Sequence, residues 1–272
     1  MIIDFHTHAF PDKIAAPTVA ALAKSGNTRP YSDGTADGLL FALKQAGASI
    51  AINQPVLTKP TQFESVVRFA SELNSREYGS ERIISFAGMH PGEEDIEGKV
   101  EALYNMGFLG IKIHPDYQGT YIDDPAYVRI ISAAKRHGLI VLTHSGLDIG
   151  FVGQPIKCTP RRVLNLLDAV GGYDKLVLAH IGASEMFDEV LELLSGEDVY
   201  FDTAYCLRSA GKNLFSKIVE KHGEDKILFG SDSPWRDISE EAEIIKSYGF
   251  GKETEEKILS ENAIKLLGLT LY

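Results

Sequence analysis

His6-Thr7-His8 places two imidazoles two residues apart near the start of the chain. On an extended strand such residues share a face, so both rings project together. Two neutral imidazole nitrogens aimed at one point suit zinc and related borderline cations, although the same pattern also describes two polar residues at a strand end. Ser231-Asp232-Ser233-Pro234-Trp235 offers a carboxylate able to bind a cation and to accept a proton from metal-bound water. Its plainer reading is an Asp opening a turn before Pro234. His90, His114, His144 and His180 are scattered between these two points, and each follows a short apolar run.

Those runs are what must position the polar residues. Eight stretches rich in Ile, Val, Leu and Phe alternate with longer segments of helical periodicity, which predicts βα units around a parallel sheet. They are Met1–Phe5, Ser49–Asn53, Ile83–Ala87, Leu109–Ile113, Ile140–Thr143, Leu176–Ala179, Val199–Asp202 and Ile227–Gly230. Near-continuous apolar character is expected of strands covered on both faces. The fold class is therefore an α/β (β/α)8 TIM barrel, read as one domain over residues 1–272. Six of the eight runs lead into a group able to bind a metal or move a proton: His8, His90, His114, His144, His180 and Asp232. In such a barrel the C-terminal strand ends converge on one mouth, so residues distant in sequence meet there.

Between the runs, Thr159-Pro160 reads as an N-cap with Pro at the first helical position. Ser184 is expected to cap the next helix. His137-Gly138 and His222-Gly223 read as helix C-termini, and Glu240–Tyr248 and Glu253–Leu267 as closing helices. The connection His8–Thr35 (residues 9–35 in the loop proper) carries Pro11, Pro17, Pro30, Gly26 and Gly34 and is predicted to be a long lid or substrate-recognition loop.

Composition narrows the function classes. A net charge of −11 argues against nucleic acid or an anionic membrane as partner. No apolar stretch reaches membrane-spanning length, and the N-terminus lacks a basic start and apolar run, so the expected location is the cytoplasm. Cys158 and Cys206, far apart and outside any CxxC pattern, read as reduced thiols. The expected partner is a small-molecule substrate, with a homodimer left open.

Taken in order, Ile3-Asp4-Phe5-His6-Thr7-His8, Gly110-Ile111-Lys112-Ile113-His114-Pro115, Leu142-Thr143-His144-Ser145-Gly146, Leu178-Ala179-His180-Ile181-Gly182 and Phe229-Gly230-Ser231-Asp232-Ser233-Pro234-Trp235 resemble the amidohydrolase superfamily, specifically amidohydrolase family 2. The tail Glu261–Gly268 also resembles that group's ending. The resemblance implies a divalent metal held by His6, His8, His144 and Asp232, with zinc expected and manganese or iron(II) as alternatives. It implies Asp232 as the proton carrier and His180 as a catalytic group contacting substrate, or binding a second metal in binuclear members. Lys112 lies on the strand that bridges such metals, so a second metal stays open, with one favoured.

Asp4 is expected to hold a ligand or backbone in place from one layer deeper. Lys112 would neutralise a substrate carboxylate or pair with an interior acid such as Asp4. His114 and His90 would line the substrate pocket or sit as satisfied rim residues. Trp235 would form a pocket wall or pack under a loop. The leading expectation is hydrolysis of an amide, lactone or other carboxyl-derived bond in a small metabolite. The alternative is a lyase reaction, since the same group contains aminocarboxymuconate-semialdehyde decarboxylase. A third reading is a barrel that binds metal and ligand without catalysis.

Overall fold

The computed structural model describes residues 1–270. All the strands it contains pair in parallel. A first sheet joins β1 (Ile3–Thr7), β2 (Ile50–Asn53) and β3 (Arg82–Ser85). A second runs in order through β4 (Ala87–Gly88), β5 (Gly110–Ile113), β6 (Ile140–Thr143), β7 (Leu176–Leu178), β8 (Tyr200–Asp202) and β9 (Ile227–Leu228). The two sheets form one ring. The third apolar run is divided at Phe86 into β3 and β4, and the Phe86 N–H still donates to Asn53 O at 3.0 Å. On the other side, Phe5 N–H donates to Phe229 O at 2.8 Å and Asp232 N–H to His6 O at 2.8 Å. Backbone groups buried in a barrel wall need such partners, and these bonds close the (β/α)8 architecture.

Alternation along the strands divides the apolar residues between two cores. Ile3, Phe5, Ile50, Ile52, Phe86, Ile140, Leu142, Val177 and Leu228 pack together and against Ala263, Leu266 and Leu267 of the last helix. Ala51, Ile83, Ile111, Val141, Leu176, Leu178 and Ile227 belong to the other core, which they share with the surrounding helices. Among those, Pro160–Val170 starts where expected: Thr159 accepts from Arg162 N–H and Gly171 ends the helix in the left-handed conformation.

Two local expectations need correction. The long connection after β1 is not an irregular loop, because it contains α1 (Asp12–Ser25), with Pro17 inside it. Pro removes one helical hydrogen bond and reads as a breaker, but Ala15 and Val19 bury one side of the helix and hold it in place. Ser184 caps nothing. Its N–H donates to Ser145 O and its carbonyl accepts from Leu147 N–H, which ties two strand-end loops together, and the following helix starts at Phe187. His222-Gly223 ends its helix as expected, and His222 is buried there, stacked on Phe201 with ring centroids 3.9 Å apart and bonded to Val199 O.

Candidate active site

The strand ends gather a chain of imidazoles whose protons are assigned by their neighbours. His6 Nδ1 donates to Asp202 Oδ2 at 2.7 Å, His8 Nδ1 to Gln54 O at 2.9 Å, and His180 Nδ1 to Ala204 O at 2.9 Å. With Nδ1 as donor, each neutral ring keeps its lone pair on Nε2. His144 extends the chain: its Nδ1 donates to His180 Nε2 at 2.9 Å, which leaves the His144 Nε2 lone pair buried without a partner. Asp232 Oδ1 lies 3.1 Å from His8 Nε2 and 3.6 Å from His6 Nε2. Lone pairs facing a carboxylate at these distances repel unless positive charge stands among them. The crowded acceptors of His6, His8 and Asp232 are thus a donor set that suits a divalent cation, with carbonyl and carboxylate partners behind the rings of His6 and His8 orienting them, whereas His144 Nε2 faces Asp116 Oδ2 at 3.9 Å.

The ligand atoms of His6, His8 and Asp232 lie within 4.8 Å of one another. The same reach groups His144 with His114 and Asp148, and His180 with His6 and Asp202. Three of the four residues expected as ligands therefore meet directly, and His144 connects to them through His180. Lys112 Nζ sits 3.1 Å from His6 Nε2, so it pairs with this cluster and not with Asp4.

Backbone geometry at the mouth is strained in the residues that matter. Asp232, His180 and Tyr205 adopt positive φ of 70°, 63° and 64°. Such a conformation costs a non-glycine residue about 1–3 kcal/mol and persists only where surrounding bonds over-determine it. Asp232 N–H is held by His6 O and His180 N–H by Asp202 Oδ1 at 2.8 Å. Asp4 contributes from below, accepting from Ser231 N–H at 2.9 Å, Ser231 Oγ at 2.5 Å and His6 N–H at 3.2 Å. It thereby supports the backbone on both sides of the cluster.

Burial sets the electrostatics. It lowers the imidazoles of His6, His114 and His144 well below their ordinary range. It brings Lys112 down to about 8 against the pull of Asp202 and Asp232, and it raises Asp4 to about 7 in spite of the bonds from Ser231 and His6. For Asp232 burial pushes upward, but its contacts with the His8 and His6 imidazoles outweigh it and hold the carboxyl below its usual value.

Above the cluster opens a cavity of about 490 Å³, lined by His6, His8, Lys112, His114, His144, His180, Asp232 and Trp235 among others. His114 stacks on His144 with centroids 4.3 Å apart and approaches Asp148 at 3.3 Å. His90 is the exception among the expected pocket residues. It does not line the cavity; its Nδ1 accepts from Gly92 N–H at 2.9 Å, so the loop after β4 satisfies the ring. Asp202 escaped the sequence reading although it closes the seventh apolar run, because an acid there resembles a turn opener. Asp148, Tyr117 and Tyr205 also belong to the site, on loops with no spacing signal.

Comparison with solved structures reinforces the fold. A protein described as amidohydrolase II has a TM-score of 0.76 at 16% identity, over 99% of this chain and 100% of its own. 5-Carboxyvanillate decarboxylase from Novosphingobium aromaticivorans, with bound manganese and 3-methoxy-4-hydroxy-5-nitrobenzoic acid, has a TM-score of 0.70 at 15% identity, over 99% and 97%. 2,6-Dihydroxybenzoate decarboxylase from Rhizobium has a TM-score of 0.66 at 16% identity, over 98% of each chain. A comparison with curated proteins finds no match. The sequence profile of the family described as Amidohydrolase matches residues 3–269, and the chain belongs to that family.

Proposed function

We propose that the protein is a metal-dependent decarboxylase of an aromatic or otherwise unsaturated carboxylic acid. Of the two chemistries the sequence suggests, this one draws the stronger support, because structurally similar proteins include decarboxylases of hydroxylated benzoates. The observation that carries the reading is the cavity itself: a floor of imidazole and carboxylate groups and a buried lysine beneath walls that include Phe10, Phe69, Tyr117 and Trp235. A flat ring carrying one carboxylate matches that division between charged floor and aromatic wall.

His6, His8, Asp232 and His144 would hold the cation, which supplies positive charge that draws electron density from a bound acid. Manganese, as in the 5-carboxyvanillate decarboxylase, and zinc both suit the donors. Lys112 Nζ neutralises the substrate carboxylate and fixes its position. The bond between carboxyl carbon and ring carbon then breaks, carbon dioxide leaves, and the electron pair stays on the ring carbon. The ring carbon takes up a proton drawn from a solvent molecule and relayed through the Asp232 carboxylate, and His180 orients an oxygen substituent beside it. The aromatic walls keep water from the developing carbanion.

The test is a panel of hydroxylated benzoic acids and cyclic esters offered to the manganese-loaded protein, with release of carbon dioxide and products followed together. Carbon dioxide stoichiometric with the decarboxylated ring is the expected result, lost in Asp232→Asn. Cleavage by water with no carbon dioxide overturns it in favour of a hydrolase. Turnover that survives chelator overturns the metal requirement.

A further inference from the structure

The cavity is larger and more apolar than a one-ring acid requires, and its outer walls are built by two helices. Ile14, Thr18 and Leu22 recur every fourth residue along α1, so they share one face, and that face lines the cavity. Opposite, Val66 and Phe69 of α3 (Phe63–Ser75) line it at helical spacing. The lid is seated rather than detached: Gly26, at the end of α1, packs so closely on Ile149 that a Cβ there would lie 2.8 Å from it. Thr28 Oγ1 also meets Tyr205 Oη at 3.3 Å. At the outer end, Ile14 and Ile149 leave 49% and 37% of their surface exposed. Apolar surface at the rim of an open pocket marks a place where a ligand gains by covering it.

Charge limits what can enter. Among the described residues lining the cavity there is no arginine, and the only lysine is Lys112, buried beside His6. A single cationic locus therefore sits at the floor, and everything between it and the rim is neutral or, at Asp148, acidic. A second carboxylate on the substrate would be desolvated against Leu22, Val66 or Phe69 with no cationic partner, which is costly.

We propose that the substrate is a monocarboxylic acid carrying an extended apolar substituent, with its carboxylate on the floor and its apolar body in the groove between α1 and α3. This rests on the decarboxylase reading for the orientation of the acid group. It adds that α1 is the specificity element and that dicarboxylic acids are excluded.

The experiment measures equilibrium affinity calorimetrically with unreactive acids, so it does not depend on turnover. Benzoate, biphenyl-4-carboxylate and isophthalate are titrated into the manganese-loaded protein, wild type and Ile14→Ser. Burial of a second ring predicts that biphenyl-4-carboxylate binds at least about tenfold more tightly than benzoate. Isophthalate should bind more weakly than benzoate, and Ile14→Ser, on a half-exposed position that tolerates polarity, should narrow the biphenyl-to-benzoate ratio at least about threefold. Equal affinity for the one-ring and two-ring acids, or tighter binding of isophthalate, overturns the proposal. A tail preference without carbon dioxide release in the separate assay would reject the decarboxylase reading and leave this one standing; carbon dioxide release without a tail preference would do the reverse.

Discussion

His6 Nδ1 and Asp202 Oδ2 are joined at 2.7 Å, both fully buried, across 196 residues of sequence. That bond turns the His6 lone pair toward His8 and Asp232, so the geometry of β1 is fixed from the end of β8. A carboxylate behind a ligating imidazole both orients the ring and raises its basicity.

Replacing Asp202 by Asn keeps an acceptor for the His180 and Ala204 N–H groups but removes the charge behind His6. Metal affinity should fall roughly 10- to 100-fold while far-UV circular dichroism stays native. Competition titration against a chromophoric chelator reads the difference. Unchanged affinity would mean that His6 does not depend on Asp202 for its ligating geometry.

Much of this arrangement was legible in the sequence because parallel strands advertise themselves as apolar runs and their ends announce the mouth. His6, His8 and Asp232 meet in space because β1 and β9 are neighbours in the closed ring, a relation that strand order alone predicts. Other parts were not legible. Asp202 stands at a strand end like the histidines, yet its partner lies on another strand, and a single carboxylate has no spacing to betray it. In α1, Pro17 masks a helix that tertiary packing of Ala15 and Val19 supports. His90 satisfies every rule applied to His114, and only the turn back to Gly92 N–H takes it out of the cavity.

Stability should depend on pH through His222, whose ring contacts Val199 O and Phe201 and none of the proposed metal ligands. Burial lowers its folded value from 6.5 to about 4, against the bond to Val199 O. The unfolded chain takes up this proton near pH 6.5 whereas the native state refuses it until about 4. The contribution is therefore complete above pH 6.5 and is lost as pH falls through that window, on the order of 3 kcal/mol in all. Chemical denaturation from pH 7 to 4 should show a slope about one proton shallower in His222→Gln than in the wild type. Parallel slopes would remove His222 from the titration.

Neither cysteine lines the cavity. Cys158 and Cys206 are buried free thiols that burial pushes up to about 12. Because the thiolate is the reactive form, both should resist an aromatic disulfide reagent in the native protein and react together on unfolding. Rapid labelling of either under native conditions would contradict this packing.

The central claim is that His6, His8 and Asp232, with His144 reached through His180, surround one positive ion. The direct measurement is an anomalous difference map from crystals grown with manganese, collected above and below the metal's absorption edge. The account predicts a single strong peak within about 2.0–2.2 Å of His6 Nε2, His8 Nε2 and an Asp232 carboxylate oxygen. A map empty at that point, or a peak held by other side chains, would contradict it.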